Sequence, residues 1–263
     1  MSDTMGTVAR AMSVLTFMAE SKDLVGVKDI AVALDLPMSS SHRLLELLQE
    51  AGFVDKDKER RRYRIGMEFV RLANLVSQRT SYAAAIQPVL DRITKETGET
   101  TMYCEYIPSK RTVMYAAKSD SPQPLRFRIN LFQEVPVEWG ASGCAILAFL
   151  PPDIQAEIQA AGRLSPVTKK RMFKATFFER IKTIRRHGYA TSEGEKLADS
   201  CGVAVPVMFG ADQAAASITL TVPKVRFVRS QLPDYVALLK REAELIAKGP
   251  LQRRNPSSKE KSK

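Results

Sequence analysis

Residues 34–53 read LDLPMSSSHRLLELLQEAGF, and the reading of this stretch decides the fold. Leu44, Leu45 and Leu48 recur at helical spacing and form an inward stripe, which leaves Ser39, Ser40, His42, Arg43, Glu46 and Gln49 on the outward side. Pro37 suits the first turn of a helix, where its missing N–H would have had no intrahelical partner. Ser39 to Ser41 are predicted to bond the free N–H groups of that turn. Gly52 suits the left-handed position past the helix end. The start of the helix therefore carries groups able to touch something outside the protein.

Upstream, TVARAMSVLTFMAES (7–21) places Val8, Met12, Leu15 and Met18 or Ala19 at helical spacing, which predicts an amphipathic helix. VKDIAVAL (27–34) predicts a second, with Ile30, Ala31 and Leu34 inward. Downstream, FVDKD (53–57) and RRYRIG (61–66) can pair as strands across the polar turn 58–61. Three helices and a basic hairpin make a winged helix-turn-helix over residues 6–65.

From 66 to 95 the pattern is again helical, with Met67, Val70, Leu72, Leu75 and Val76, then Ile86, Val89, Leu90 and Ile93, and a polar break QRTSY at 78–82. This predicts a linker helix over 66–80 and the first helix of a second domain spanning 81–248. Past Gly98 the period becomes that of strands: TTMYCEYI (100–107), TVMYAAK (112–118) and LRFRINL (125–131), an antiparallel meander. Helices follow at 142–149, 153–160 and 177–187, the last capped by Thr176 and stopped by Gly188. Two strands, 201–209 and 214–222, precede a final helix at 233–247. The tail 249–263 has little to bury and is expected to be disordered. The class is α+β.

Composition narrows the function. With 44% hydrophobic residues the chain can fill ordinary cores. No apolar run approaches the ~20 residues of a spanning helix, and MSDTMGTVAR lacks the apolar core of a signal peptide, so a cytoplasmic location without membrane contact is expected. Cys104, Cys144 and Cys201 form no CxxC pair, which points to reduced thiols and to no metal or other cofactor. The net charge of +11 is spread: Lys and Arg against Asp and Glu number 12 and 11 in residues 1–80, 22 and 17 in 81–247, and 6 and 1 in 248–263. Charge alone therefore does not decide for nucleic acid.

LDLPMSSSHRLLELLQEAGFVDKDKERRRYRIG (34–66), VPVEWGASGCAILAFLP (135–151), IRRHGYATSEGE (184–195), CGVAVPV (201–207) and ASITLTVP (216–223) together resemble the IclR family of bacterial transcriptional regulators, over about residues 6–248. The resemblance implies an N-terminal winged helix-turn-helix, a helical linker that dimerises, and a C-terminal effector-binding domain with a GAF-like α/β fold that helps build tetramers. It also implies two partners beyond a second copy: double-stranded DNA and a small-molecule effector.

In helix-turn-helix proteins the first turns of the reading helix enter the major groove. Arg43 can bond guanine O6 and N7 there, while Ser39, Ser40 and His42 can meet phosphates or base edges. If the serines only capped the helix, one would suffice, and His42 and Arg43 would go unused. In the wing Lys56, Lys58, Arg60, Arg61, Arg62 and Arg64 outnumber Asp57 and Glu59, which favours phosphate or minor-groove contact over a merely solvated face. Met38 stands where the family often has a basic residue.

In ASITLTV (216–222), Ser217, Thr219 and Thr221 alternate with Ile218, Leu220 and Val222. The resemblance places the hydroxyls of Thr219 and Thr221, Cys201, an acidic residue matched by Glu193, and the loop of Ala141 and Ser142 around the effector. Free N–H groups at the start of the helix from Ser142 would favour an anion, so a small organic acid is expected. Trp139 and Gly140 replace small residues of the family, and Cys144 stands where a lysine is common. Trp139 is either a core residue or a pocket wall; as a wall it suits an effector with a flat or apolar body, such as an aromatic acid. The rival functions are an enzyme with an appended helix-turn-helix, and an effector-independent DNA-binding protein. An enzyme is disfavoured: a nucleophilic Cys201 lacks a base, the only histidines being His42 and His187, and no P-loop, G-x-S-x-G or G-x-G-x-x-G pattern is present.

Overall fold

The computed structural model describes residues 6–79, 82–210 and 213–248. The chain divides into two compact units, Met1–Ser81 and Tyr82–Lys263. The tail 249–263 and part of the break at 78–82 lie outside the described residues.

The first unit contains α1 (Thr7–Glu20), α2 (Val27–Ala33), α3 (Met38–Glu50), β1 (Val54–Asp57), β2 (Arg62–Ile65) and α4 (Met67–Arg79). Leu44, Leu45 and Leu48 of α3 meet Val14, Leu15 and Met18 of α1, Ile30 of α2, and Val54 and Tyr63 of the hairpin in one core. The inward stripe of α1 starts later than its spacing predicts. Val8 and Met12 are exposed, because this helix reaches the core only with its last two turns. The serine prediction for α3 is also corrected. Pro37 occupies the cap position without a side-chain bond, and Ser41 is fully buried, its hydroxyl donating back to the Pro37 carbonyl at 3.1 Å. Ser41 belongs to the core face, and its short side chain lets α3 pack closely there.

The second unit contains α5 (Tyr82–Thr97), β3 (Thr100–Ile107), β4 (Thr112–Ser119), β5 (Glu134–Pro136), α6 (Gly140–Leu147), α7 (Pro152–Ala161), α8 (Lys174–His187), β6 (Ala190–Glu193), β7 (Ser200–Met208), β8 (Ala214–Pro223) and α9 (Leu232–Lys248). Its antiparallel sheet has the order β5-β4-β3-β8-β7-β6, two three-stranded meanders joined through β3 and β8. One face, with Tyr103, Val203, Val205, Ile218 and Leu220, packs on Ile86, Leu90 and Ile93 of α5 and Leu239 and Ile246 of α9. The other, with Cys104, Val113, Ala190 and Ala204, packs on Ala141, Ala145 and Ile146 of α6 and Phe177, Ile181 and Ile184 of α8.

Three expectations change here. The run 125–131 forms no strand, and the positions opposite Thr112–Met114 are taken by Pro136–Glu134. The chain turns into β5 through Phe132, which has a left-handed φ of 62° and donates its N–H to the Tyr115 carbonyl. The helix α8 starts at Lys174, so Thr176 lies inside its first turn instead of capping it. Residues 190–193 form an edge strand that pairs with β7. Gly188 stops α8 in the left-handed conformation, as its position predicts.

Candidate functional site

The outward side of α3 carries Ser39 and Arg43, both exposed, and Ser40, half-buried. Arg43 makes no hydrogen bond or ion pair among the described residues. His42 lies 3.3 Å from Glu46, one turn on. In the wing, the backbone N–H of Arg60 donates to Asp57 at 2.9 Å and Arg61 adopts φ 52°, which closes the turn and leaves both guanidinium groups exposed. Arg64 is exposed and 3.8 Å from Asp55. Arg62 differs. Its guanidinium donates to the Leu24 carbonyl at 2.7 Å and to Asp29 at 3.2 Å, so it ties the wing to α2. Tyr63 reinforces that tie through paired backbone bonds with Val25. Arg62 is thus engaged by contacts within the domain, with its side chain still 45% exposed.

The second candidate site lies between α6 and the sheet face that holds Thr219. Strand register places Thr100, Met102 and Cys104 of β3 opposite Thr221, Thr219 and Ser217 of β8, all on this face. Ser217 donates to the Ser142 carbonyl at 2.9 Å, which fastens α6 to the strand. The Ser142 hydroxyl lies 3.1 Å from the Tyr115 hydroxyl and 3.3 Å from the Lys196 ammonium. Lys196 also sits 5.5 Å from the centre of the Tyr115 ring. Thr219, 3% exposed, keeps a buried hydroxyl oxygen with no hydrogen-bond partner. An unbonded buried hydroxyl costs about 1–3 kcal/mol.

The start of α6 is not an open anion site. The helix begins two residues earlier than predicted, at Gly140, with φ 74°. The Gly140 N–H donates to Glu195 at 2.9 Å and the Ala141 N–H to the Ser192 hydroxyl at 2.9 Å. Glu195 is also paired by both Nη groups of Arg180. The anion at this helix terminus is thus the protein's own carboxylate.

Two predicted site residues fall on the other side of the sheet. Cys201 pairs with Val222 and with Glu193, whereas Gly202 pairs with Thr221 and Ser192. Because side chains alternate along a strand, Cys201 and Glu193 face away from Thr219 and Thr221. Glu193 is half-exposed and bonded to Lys224 at 2.7 Å, which holds its carboxyl below the usual range. The position taken by the misassigned pair is filled by Ser192 and Gly202. A Cβ on Gly202 would come within 2.8 Å of the Ser192 hydroxyl and 3.1 Å of the Ala141 Cβ, so a larger residue there would displace the Ser192 side chain and press on α6.

The cysteines that do border the site are Cys104 and Cys144, both fully buried, each pushed up to about 11 by burial. They are neutral thiols, and Cys144 donates to the Glu138 carbonyl at 3.3 Å. Glu138 is itself buried, and burial raises its carboxyl. Trp139 is buried, with its indole N–H donating to the Arg163 carbonyl at 2.9 Å. Sequence reasoning missed Tyr115, Ser192, Glu195 and Lys196. Glu195 is two residues from Glu193, the acid that the resemblance implies, and Lys196 lies in a loop with no periodic signal. Among the described residues no group of His, Cys, Asp and Glu could hold a metal ion, and no helix is long and apolar enough to cross a membrane.

The comparisons with known proteins agree over both units. The family model described as "IclR helix-turn-helix domain" matches residues 7–58, and "Bacterial transcriptional regulator IclR C-terminal" matches residues 75–248. The Probable transcriptional regulator SauR of Cupriavidus necator is 27% identical over 240 residues, 91% of this chain and 94% of that protein. A solved structure from Silicibacter sp. TM1040, described as an ICLR transcriptional regulator, has a TM-score of 0.81 at 26% identity and covers 92% of this chain and 95% of its own. An IclR homolog from Microbacterium hydrocarbonoxydans, complexed with 4-hydroxybenzoate, shares the fold at a TM-score of 0.76 and 19% identity, over 92% of this chain and 98% of its own. With both family models matched and a reading helix and wing on one core, the chain belongs to the IclR family of bacterial transcriptional regulators, a DNA-binding protein and not an enzyme.

Proposed function

We propose that this regulator binds operator DNA as a dimer or tetramer, and that a small organic acid bound beside Thr219, Ser142 and Lys196 of the second unit modulates that binding. The reading side is α3, with Arg43 aimed at base edges, Ser39, Ser40 and His42 at bases or phosphates, and Arg60, Arg61 and Arg64 of the wing at the backbone. The observation that carries the effector half is the Thr219 hydroxyl, buried with no hydrogen-bond partner among the described residues on the sheet face that α6 covers, while Ser142, Lys196 and Tyr115 gather at the start of that helix. Such a group is satisfied by a ligand that brings a polar atom. Thr221 lies on the same face, and Ala141 and Ser142 form the opposite wall. The 4-hydroxybenzoate in the Microbacterium homolog supports an aromatic acid as one member of the class.

Self-association is supported by α4, whose Met67, Val70, Leu72, Leu75 and Val76 are all exposed in the single chain, on more sides than one covered face explains. The deciding experiment is DNA binding by fluorescence anisotropy, with operator fragments from the flanking region of the gene and a panel of organic acids added to the complex. Reversible, saturable change in DNA affinity supports the proposal. Steady conversion of the acid into another compound would return the enzyme reading.

A further inference from the structure

We propose that Lys196 is the cation that receives the effector's carboxylate, so that the pocket selects carboxylates over their neutral amides. This inference rests on the reading of the region around Thr219 and Ser142 as the effector site.

Four observations carry it. The Lys196 stem lies across Gly140, where a Cβ would come within 2.8 Å of its Cδ, and this directs the ammonium inward to Ser142 and the Tyr115 ring. The ammonium has three donors, and its one hydrogen bond among the described residues goes to the neutral Ser142 hydroxyl. Lys196 is within ion-pair distance of no carboxylate among the described residues. The leading N–H groups of α6, the usual alternative for an anion, are used by Glu195 and Ser192.

The surroundings favour one negative charge from outside. Burial keeps the Cys104 and Cys144 thiols neutral, so they do not neutralise the ammonium from within. A carboxylate at Lys196 would gain a charge-assisted bond there, and Thr219 and Ser142 would supply neutral ones.

The test uses the full chain and a panel of monocarboxylates from glyoxylate to benzoate and 4-hydroxybenzoate, each beside its primary amide, read by calorimetry and by Trp139 fluorescence. For the tightest acid, Lys196→Met keeps the stem over Gly140 but removes the charge. It should weaken the acid at least tenfold and leave the amide unchanged, while Lys196→Arg retains the preference for the acid. An undiminished acid preference in Lys196→Met overturns the inference, as does a wild type that binds no acid of the panel. Thr219→Val separates the two levels of the argument. If it weakens acid binding and Lys196→Met does not, the pocket stands and the charge assignment falls. If neither variant changes affinity, the ligand sits elsewhere and both fall.

Discussion

Glu195 holds the first turn of α6 by accepting the Gly140 N–H at 2.9 Å. The same carboxylate pairs with Arg180 of α8, and the Glu195 carbonyl accepts the Ser165 hydroxyl at 2.9 Å. One residue thus ties the pocket-forming helix to the helix behind it and sets Lys196, the next residue, against Ser142. Glu195→Ala would leave the Arg180 guanidinium, with only 23% of its side chain exposed, without its partner and Gly140 without an acceptor. A loss of about 3–5 kcal/mol is expected for breaking such a pair from one side. Glu195→Gln keeps an acceptor and should lose less. Urea denaturation of both variants checks this; equal losses would show that the N–H bond contributes nothing.

Cys104 and Cys144 give a pH dependence with a definite sign. Their folded values, each about 11, lie above the ordinary thiol value of about 8.5. The folded state therefore holds the protons more tightly, and this contribution to stability is complete below about pH 8.5 and lost as pH rises through about 11. Stability should decline over that interval, and the variant with Cys104→Ala and Cys144→Ala should decline less steeply. Denaturation midpoints under reducing conditions at several alkaline pH values decide it; parallel curves would remove the thiols from the account.

Arg43 and Arg62 should separate two kinds of arginine in one domain. Arg43 is exposed with no partner among the described residues, so Arg43→Ala should cost ~1–3 kcal/mol in operator affinity and relax base preference. Arg62 is bonded to Leu24 and Asp29, so Arg62→Ala should lower the stability of the domain by about 1 kcal/mol and leave the salt dependence of binding nearly intact. By contrast, Arg60→Ala should reduce that salt slope by about one. An Arg62→Ala variant with unchanged melting and a reduced slope would return Arg62 to the DNA surface.

The difference between these arginines marks where sequence reasoning stops. The stripe Leu44, Leu45 and Leu48 is local, so the reading helix and the hairpin after it were legible from spacing. The alternation of Ser217, Thr219 and Thr221 was equally legible, since side-chain parity is a property of one strand. Which face of β7 joins that hydroxyl face depends on cross-strand register, and Gly202, not Cys201, pairs with Thr221. Glu193 followed Cys201 to the wrong face for the same reason. Lys196 and Ser142 meet across a long loop, and Arg62 meets Leu24 across most of the DNA-binding domain; neither contact leaves a periodic trace. The run 125–131 had the alternation of a strand, but a strand also needs a free edge, and β5 had taken it.

The exposed apolar residues of α4 predict an assembly that depends on them. Val70 and Leu75 are 41% and 39% exposed. Replacing both by Asp should weaken self-association at least tenfold, since each buried apolar side chain is worth ~1.5–3 kcal/mol. Deletion after Lys248 should leave assembly intact. Sedimentation at micromolar concentration is the measurement, and a wild type that sediments as a monomer would remove the dimer from the proposal.

Thr219 predicts two effects of opposite direction from one substitution. Its hydroxyl is buried with no hydrogen-bond partner among the described residues, so Thr219→Val should stabilise the chain by about 1 kcal/mol, by removing a polar atom desolvated without a partner. With Thr221→Val added, effector affinity should fall at least tenfold, because bonds to a charged group are worth ~1.5–3 kcal/mol each. DNA binding without effector should stay normal, since the reading helix belongs to the other unit. A merely structural role for Thr219 would move stability and affinity together, downward. Thermal melting of the single variant and calorimetric titration of the double variant with the acid that alters DNA binding therefore form one test: higher stability with unchanged acid affinity would place the effector elsewhere, and lower stability would mean that the hydroxyl is already satisfied in the free protein.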